Sequence, residues 1–151
     1  EVGYGMVAGQ QAVAAPGSSV ARAAQDVGAQ VVPLVGPVSL LLTLAASGLN
    51  GQSFAFQGYL PQDAGERSQR IRQLESLSLK TGQAQIFIET PYRNPALWQA
   101  LLAHLQPTTR LAVASGLTLA EADIQSRSVA DWRTKDWAPA KHTPTVFAFG
   151  Q

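Results

Sequence analysis

The 151-residue chain contains no cysteine, only two histidines (His104 and His142), and almost no excess of charge. Without thiols there is no disulfide framework and no thiolate metal site, and two distant histidines do not make a structural zinc centre. The net charge of +1, from 11 basic and 10 acidic residues, sets up no strong field for a polyanion, although charge can still be local. Nor does any apolar run approach the ~20 residues of a membrane span, and no basic-then-apolar leader opens the chain. The expectation is a cytoplasmic protein with no membrane or metal partner. Phosphate-loop signals are missing too. Glu1 to Gly17 carries Gly3, Gly5, Gly9 and Gly17, but neither the Lys-Ser/Thr of a P-loop nor GxGxxG spacing.

What is present is apolar and periodic. With 46% hydrophobic residues the chain can build one full core, or one domain and a piece of another. Val31 to Leu49 organises it: a β-forming run broken at Gly36-Pro37, then an apolar helical run closed by Gly48. Pro37 suits the first helical position, which needs no N–H, and Gly48 suits a left-handed C-cap. In α/β proteins ligands settle at such junctions, although plain packing of a buried strand and helix explains the same pattern.

Ahead of the junction, Val20 to Val27 has helical spacing, with Ser18 or Ser19 as cap and Gly28 as stop. Strands are expected at Val2 to Val7 and Val31 to Val35. Beyond it the pattern predicts strand Phe54 to Tyr59, helix Ala64 to Leu79 with Ile71, Leu74 and Leu77 on its buried face, and strand Ala84 to Glu89. A helix capped by Asn94, with Pro95 at N1 and the stripe Leu97, Leu101, Leu105, follows. Strands Arg110 to Ser115, Ile124 to Val129 (on an edge) and Thr143 to Phe149 (central or well covered) complete the order α-β-α-β-α-β-β-β after Gly36. Arg67, Arg70 and Arg72, flanked by Glu66 and Glu75, read as a solvated face rather than a phosphate contact. His104 reads as structural near a helix C-terminus, and Trp132 and Trp137 as a plug on the core.

Several segments in order carry a resemblance. VVPLVGPVSLLLTLAASGLNGQSFAFQGYLP, R-x-x-R-I-x-x-L at Arg67 to Leu74, IFIETPYRNPALWQALLAHL at Ile86 to Leu105, LAVASGLTLAEADIQSRSV at Leu111 to Val129 and TPTVFAFG at Thr143 to Gly150 together resemble the tetrapyrrole methylase family. The ETPYR segment points to its ribosomal-RNA 2′-O-ribose methyltransferase-like branch rather than to its tetrapyrrole-modifying members.

The resemblance implies an α/β fold: a three-layer α-β-α C-terminal domain with a mixed sheet at residues 38–151, and a β-α-β remnant of the N-terminal domain at 1–37. It implies S-adenosylmethionine as cofactor and RNA as partner of the full-length form; a homodimer is expected instead from apolar surface that the missing domain would cover and that two copies can bury against each other. The cofactor positions it carries over are Gly36 and Pro37, Ile88, Glu89 and Thr90, Ala114, and Pro144, Thr145 and Val146, with Arg93 toward substrate. Most of the family's N-terminal domain has no counterpart here. Val7 and Ala15 stand where the branch usually has acidic residues, and Val38 where it has serine. No residue offers itself as general base for a ribose hydroxyl. The chain by itself is therefore expected to be an inactive fragment, and the competing expectation is a ligand-free structural or dimerisation module derived from the same fold.

Overall fold

The structure, a computed structural model, describes residues 18–32, 39–116 and 123–151. The chain forms two compact units, Glu1–Ser39 and Leu40–Gln151. In the first, helix α1 (Ser18–Asp26) ends where Gly28 takes φ 74° and donates its N–H to Gln25 O at 3.0 Å. Val31 and Val32 are exposed and belong to no strand, because β-branched propensity makes no strand without a paired backbone. The expected strand at Val2 to Val7, and residues 33–38, lie outside the described residues.

The second unit is an α/β layer structure. Its elements are α2 (Ser39–Ser47), β1 (Phe54–Tyr59), α3 (Ala64–Thr81), β2 (Ala84–Glu89), a 3₁₀ turn (Pro91–Arg93), α4 (Asn94–His104), β3 (Arg110–Ser115), β4 (Asp123–Ser128), α5 (Val129–Arg133) and β5 (Thr145–Gly150). The five strands form one mixed sheet in the order β1-β2-β5-β3-β4. Only β1 and β2 run parallel; the other three pairings are antiparallel. Thus β5 is central and β4 lies on an edge. The short helix α5, carrying Trp132, is an element the sequence pattern does not anticipate, being only a turn and a half long.

Alternation along the strands sorts side chains by size. One face carries Phe87, Leu111, Val113, Phe147 and Phe149, packed under α3, α4 and α5 with Ile71, Leu74, Leu97, Leu101 and Trp132. Phe87 stacks on Phe147 with centroids 5.8 Å apart and meets Phe149 edge-on at 5.7 Å. The three tryptophans form a second aromatic cluster. Trp98 stands perpendicular to Trp132 at 5.0 Å and close to perpendicular to Trp137 at 5.1 Å. Two of their indole N–H groups find carbonyls: Trp132 donates to Leu111 O at 2.8 Å and Trp98 to Trp137 O at 3.2 Å.

The opposite face carries Ile86, Ala112, Ala114 and Ala148, all buried. Ser126, in register with Ala112, donates to Ser47 O at 2.6 Å, so α2 lies on this small-residue side. Helix α3 starts at Asp63, whose carboxylate accepts from Glu66 N, and ends at Gly82 with φ 73°, whose N–H bonds Ser78 O.

Two expectations are corrected here. Leu77 is 40% exposed; after Ile71 and Leu74 the inward face of α3 is continued by Glu75 and Ser78, and Glu75, only 5% exposed, accepts from Gln106 N at 2.9 Å and Thr109 Oγ1 at 2.7 Å. Asn94 caps nothing. The chain enters α4 through the 3₁₀ turn, the helix N-cap is Arg93 without a side-chain bond, and the Asn94 amide is buried.

Candidate functional site

Register places the residues singled out from the sequence at one end of the sheet. Ile88 pairs with Val146 and Val146 with Ala114, so these three form a row across β2, β5 and β3. In the next row Glu89 pairs with Thr145 and Thr145 with Ser115. The pleat turns the two rows to opposite faces. Ile88, Ala114 and Val146 lie on the α2 side, and Glu89, Thr145 and Ser115 lie on the α4 side. Pro144 is exposed at the entry to β5, and its carbonyl accepts from Gly116 N at 3.2 Å. Gly36 and Pro37 lie outside the described residues, as do Val7, Ala15 and Val38.

Glu89 is turned inward. Its side chain is 1% exposed, and Oε1 accepts from Thr90 N at 2.7 Å and from Thr90 Oγ1 at 3.3 Å. Arg93 NH1 stands 3.6 Å from the same oxygen. Arg93 is further held by the Tyr92 hydroxyl at 2.6 Å and, with the Gln62 amide oriented to present its oxygen, by that oxygen at 2.7 and 3.3 Å. The Glu89–Arg93 pair therefore joins a buried carboxylate to a half-buried guanidinium. Its first task is local: it fixes the bend between β2 and the 3₁₀ turn.

Asn94 and Ser115 lie at the same end of the sheet, and sequence reasoning does not bring them there. Asn94, fully buried, donates from Nδ2 to Thr145 Oγ1 at 3.1 Å, Thr143 O at 3.2 Å and Ala140 O at 3.4 Å. It ties the N-terminus of α4 to the segment that enters β5. Its own oxygen has no partner. An Asn-Pro pair looks like a helix start, so nothing in the sequence marks this asparagine as a long-range staple. Ser115 becomes visible only through the register that sets it 3.2 Å from Thr145 Oγ1.

Among the described residues no group of three or more His, Cys, Asp or Glu could hold a metal ion, and no helix is long and apolar enough to cross a membrane.

An open mixed sheet with helices packed on it and polar groups gathered at one end of its strands defines the class: an α/β domain. The chain is 34% identical over 127 residues to "Ribosomal RNA small subunit methyltransferase I" of Neisseria meningitidis serogroup A, a match covering 84% of this chain and 42% of that protein. It is 30% identical over 132 residues to the protein of the same name from Vibrio cholerae, covering 85% and 44%. Among solved structures, the methyltransferase CobJ superposes with a TM-score of 0.60 at 19% identity, over 95% of this chain and 62% of that one. A uroporphyrin-III-C-methyltransferase from Thermus thermophilus gives 0.54 at 20% identity, over 94% and 60%. A second structure of a uroporphyrin-III C-methyltransferase from that organism, complexed with S-adenosyl homocysteine, gives 0.51 at 15% identity, over 95% and 63%. No family model matches the chain. The chain belongs to the tetrapyrrole methylase family, and it spans less than half the length of the curated relatives it matches.

Proposed function

We propose that this chain is part of an S-adenosylmethionine-dependent methyltransferase of the cytoplasm whose full-length form methylates ribose 2′-hydroxyls of ribosomal RNA. Residues 38–151 are its C-terminal domain and residues 1–37 the end of its N-terminal one. The names of the curated relatives support the RNA substrate, and a structural neighbour complexed with S-adenosyl homocysteine supports the cofactor.

The observation that carries the reading is the convergence of Ile88, Ala114 and Val146 in one row, beside Glu89 and Thr145 in the next. These residues come from three separate segments, and chain folding alone brings them to one end of the sheet. Their chemistry fits the cofactor. Ala114 and Val146 are short enough to let a planar, largely apolar group approach the backbone. Asn94 Oδ1, without a partner at the same end of the sheet, is an acceptor that suits a ligand bearing amino groups.

S-adenosylmethionine, when bound, supplies a methyl group activated on a sulfonium. The residues of this chain bind and orient it at the strand ends: the Ile88–Val146–Ala114 row forms an apolar floor on the α2 side, and Glu89, anchored to Thr90 N on the other face, holds the bend at the end of β2. Alignment of the reacting atoms is the main help a protein gives to an in-line transfer. Arg93, held by Tyr92 and Gln62, is placed to meet substrate. Glu89 is committed to Thr90 and Arg93, and His104 interacts through Nδ1 with Arg72 at 3.0 Å. Neither is available as a base for the ribose hydroxyl, so the chain by itself binds cofactor without turning over.

Calorimetry with S-adenosylhomocysteine tests this reading. Heat of binding at micromolar ligand supports it; no heat at millimolar ligand removes the cofactor from this chain.

A second reading, a homodimer interface, rests on exposed apolar residues. Leu41 and Leu42 stand outward on α2, and Phe54 and Tyr59 on edge strand β1. Exposed apolar surface of this kind and an open strand edge favour self-association. Sedimentation over a range of concentrations checks it, and a monomer throughout rules it out.

A further inference from the structure

Three hydrogen bonds meet at Thr145 Oγ1 and assign roles to the groups around it. A hydroxyl has one proton and two lone pairs. Thr145 Oγ1 lies 3.0 Å from Thr143 O, and a carbonyl can only accept, so the Thr145 proton goes there. Asn94 Nδ2 donates to the same Oγ1 at 3.1 Å and fills one lone pair. The amide orientation of Asn94 is set by the three oxygens that face its nitrogen. The remaining lone pair faces Ser115 Oγ at 3.2 Å. With the Thr145 proton on Thr143 O, Ser115 is the donor of the Ser115–Thr145 pair, and both of its own lone pairs are left free.

Asn94 thus acts through Thr145 to make Ser115 an acceptor. Ser115 is half-buried, in register with Thr145 and through it with Glu89, at the end of the sheet where the cofactor positions converge. A second observation points the same way. Asn94 Oδ1, on a fully buried side chain, has no donor within reach. Among the side chains of Asn94, Thr145 and Ser115 the donors are spent and acceptors are left over, and a buried acceptor without a partner is costly.

We infer that Ser115 reads an N–H donor of the bound ligand, with Asn94 as the positioning residue that keeps its hydroxyl proton turned inward. The inference rests on the cofactor reading above and adds to it the contact and its polarity. An amino group is the chemistry selected; in an S-adenosyl ligand it has two sources, the 6-amino group of adenine and the ammonium of the amino-acid tail.

The test compares three ligands on the 151-residue chain: S-adenosylhomocysteine, S-inosylhomocysteine, in which a carbonyl replaces the 6-amino group, and the deamino analogue that lacks only the ammonium. The native chain is expected to bind one of the two analogues about tenfold or more weakly, the cost of one hydrogen bond to a site that must accept. Which analogue loses affinity identifies the amino group. In Ser115→Ala that discrimination is expected to vanish, and in Ser115→Thr to return. Asn94→Ala is expected to reduce it while Ser115 is still present; should that variant not fold, Ser115→Ala decides alone. Equal binding of all three ligands by the native chain, or discrimination unchanged in Ser115→Ala, overturns the inference and leaves the acceptors with water, while the cofactor reading stands. Binding of none of the three removes both.

Discussion

Glu75 of α3 and Thr109, in the turn that leads into β3, are joined by a 2.7 Å hydrogen bond across 34 residues of sequence. The same carboxylate oxygen accepts from Gln106 N at 2.9 Å, so one buried acidic group satisfies two donors of the α4–β3 connection. Truncation in Glu75→Ala leaves both donors unpaired in a dry site and is expected to cost about 3 kcal/mol. Glu75→Gln keeps an acceptor in the same place and is expected to cost about 1 kcal/mol. Urea melts of the two variants check the order. Equal losses mean that side-chain volume, not hydrogen bonding, holds the turn.

That pair also shows where sequence reading stops. The sheet strands are legible because apolar and β-forming residues cluster between turn residues, as at Ala84 to Glu89 and Thr145 to Gly150. The central place of β5 follows from its lack of charged side chains. Helix α3 is legible as a helix, but apolar spacing draws its buried face through Leu77, whereas Glu75 and Ser78 fill it. Hydrophobic periodicity has no means of showing that a carboxylate will find two donors in a distant turn. Asn94 is the same case at the site: its local pattern is that of a cap, and its partners lie 46 to 51 residues away. The cofactor positions in ETPYR and TPTVF come from motif resemblance, and their convergence from strand register, which a single sequence does not encode locally.

The tryptophan cluster gives a stability test away from the site. Trp98 is 1% exposed and touches both other indoles, so Trp98→Ala is expected to cost about 4 kcal/mol. Trp132→Phe keeps most of the ring but loses the N–H that Leu111 O accepts; about 2 kcal/mol is expected. Both variants should lower the midpoint of a denaturant melt without changing its slope.

Gly82 closes α3 in the left-handed region at φ 73°, and its carbonyl accepts from Asn50 Nδ2 at 3.0 Å. A Cβ there meets no close neighbour, only that amide nitrogen at 3.9 Å, so the penalty of Gly82→Ala is conformational. About 1 kcal/mol of destabilisation is expected, and Gly82→Asn should recover part of it. A thermal melt that places the Ala variant level with the parent contradicts the assignment of that cap.

Arg93 is gripped by Tyr92, Gln62 and Glu89, and Lys cannot reproduce such a fork of contacts. Arg93→Lys is expected to leave the melting midpoint nearly unchanged, because the residue sits at the rim. It is expected to weaken binding of a short ribosomal-RNA oligonucleotide by the chain several-fold. Fluorescence anisotropy reads the second effect, and unchanged affinity removes Arg93 from the substrate surface.

Backbone amide shifts recorded while the 151-residue chain is titrated with S-adenosylhomocysteine test the central claim most directly. The expected result is saturable movement of Ile88, Thr90, Ala114, Ser115, Thr145 and Val146, with little change at the tryptophan cluster or at Glu75. Saturable binding that moves other residues and leaves this row still, or no saturable shift at all, contradicts it.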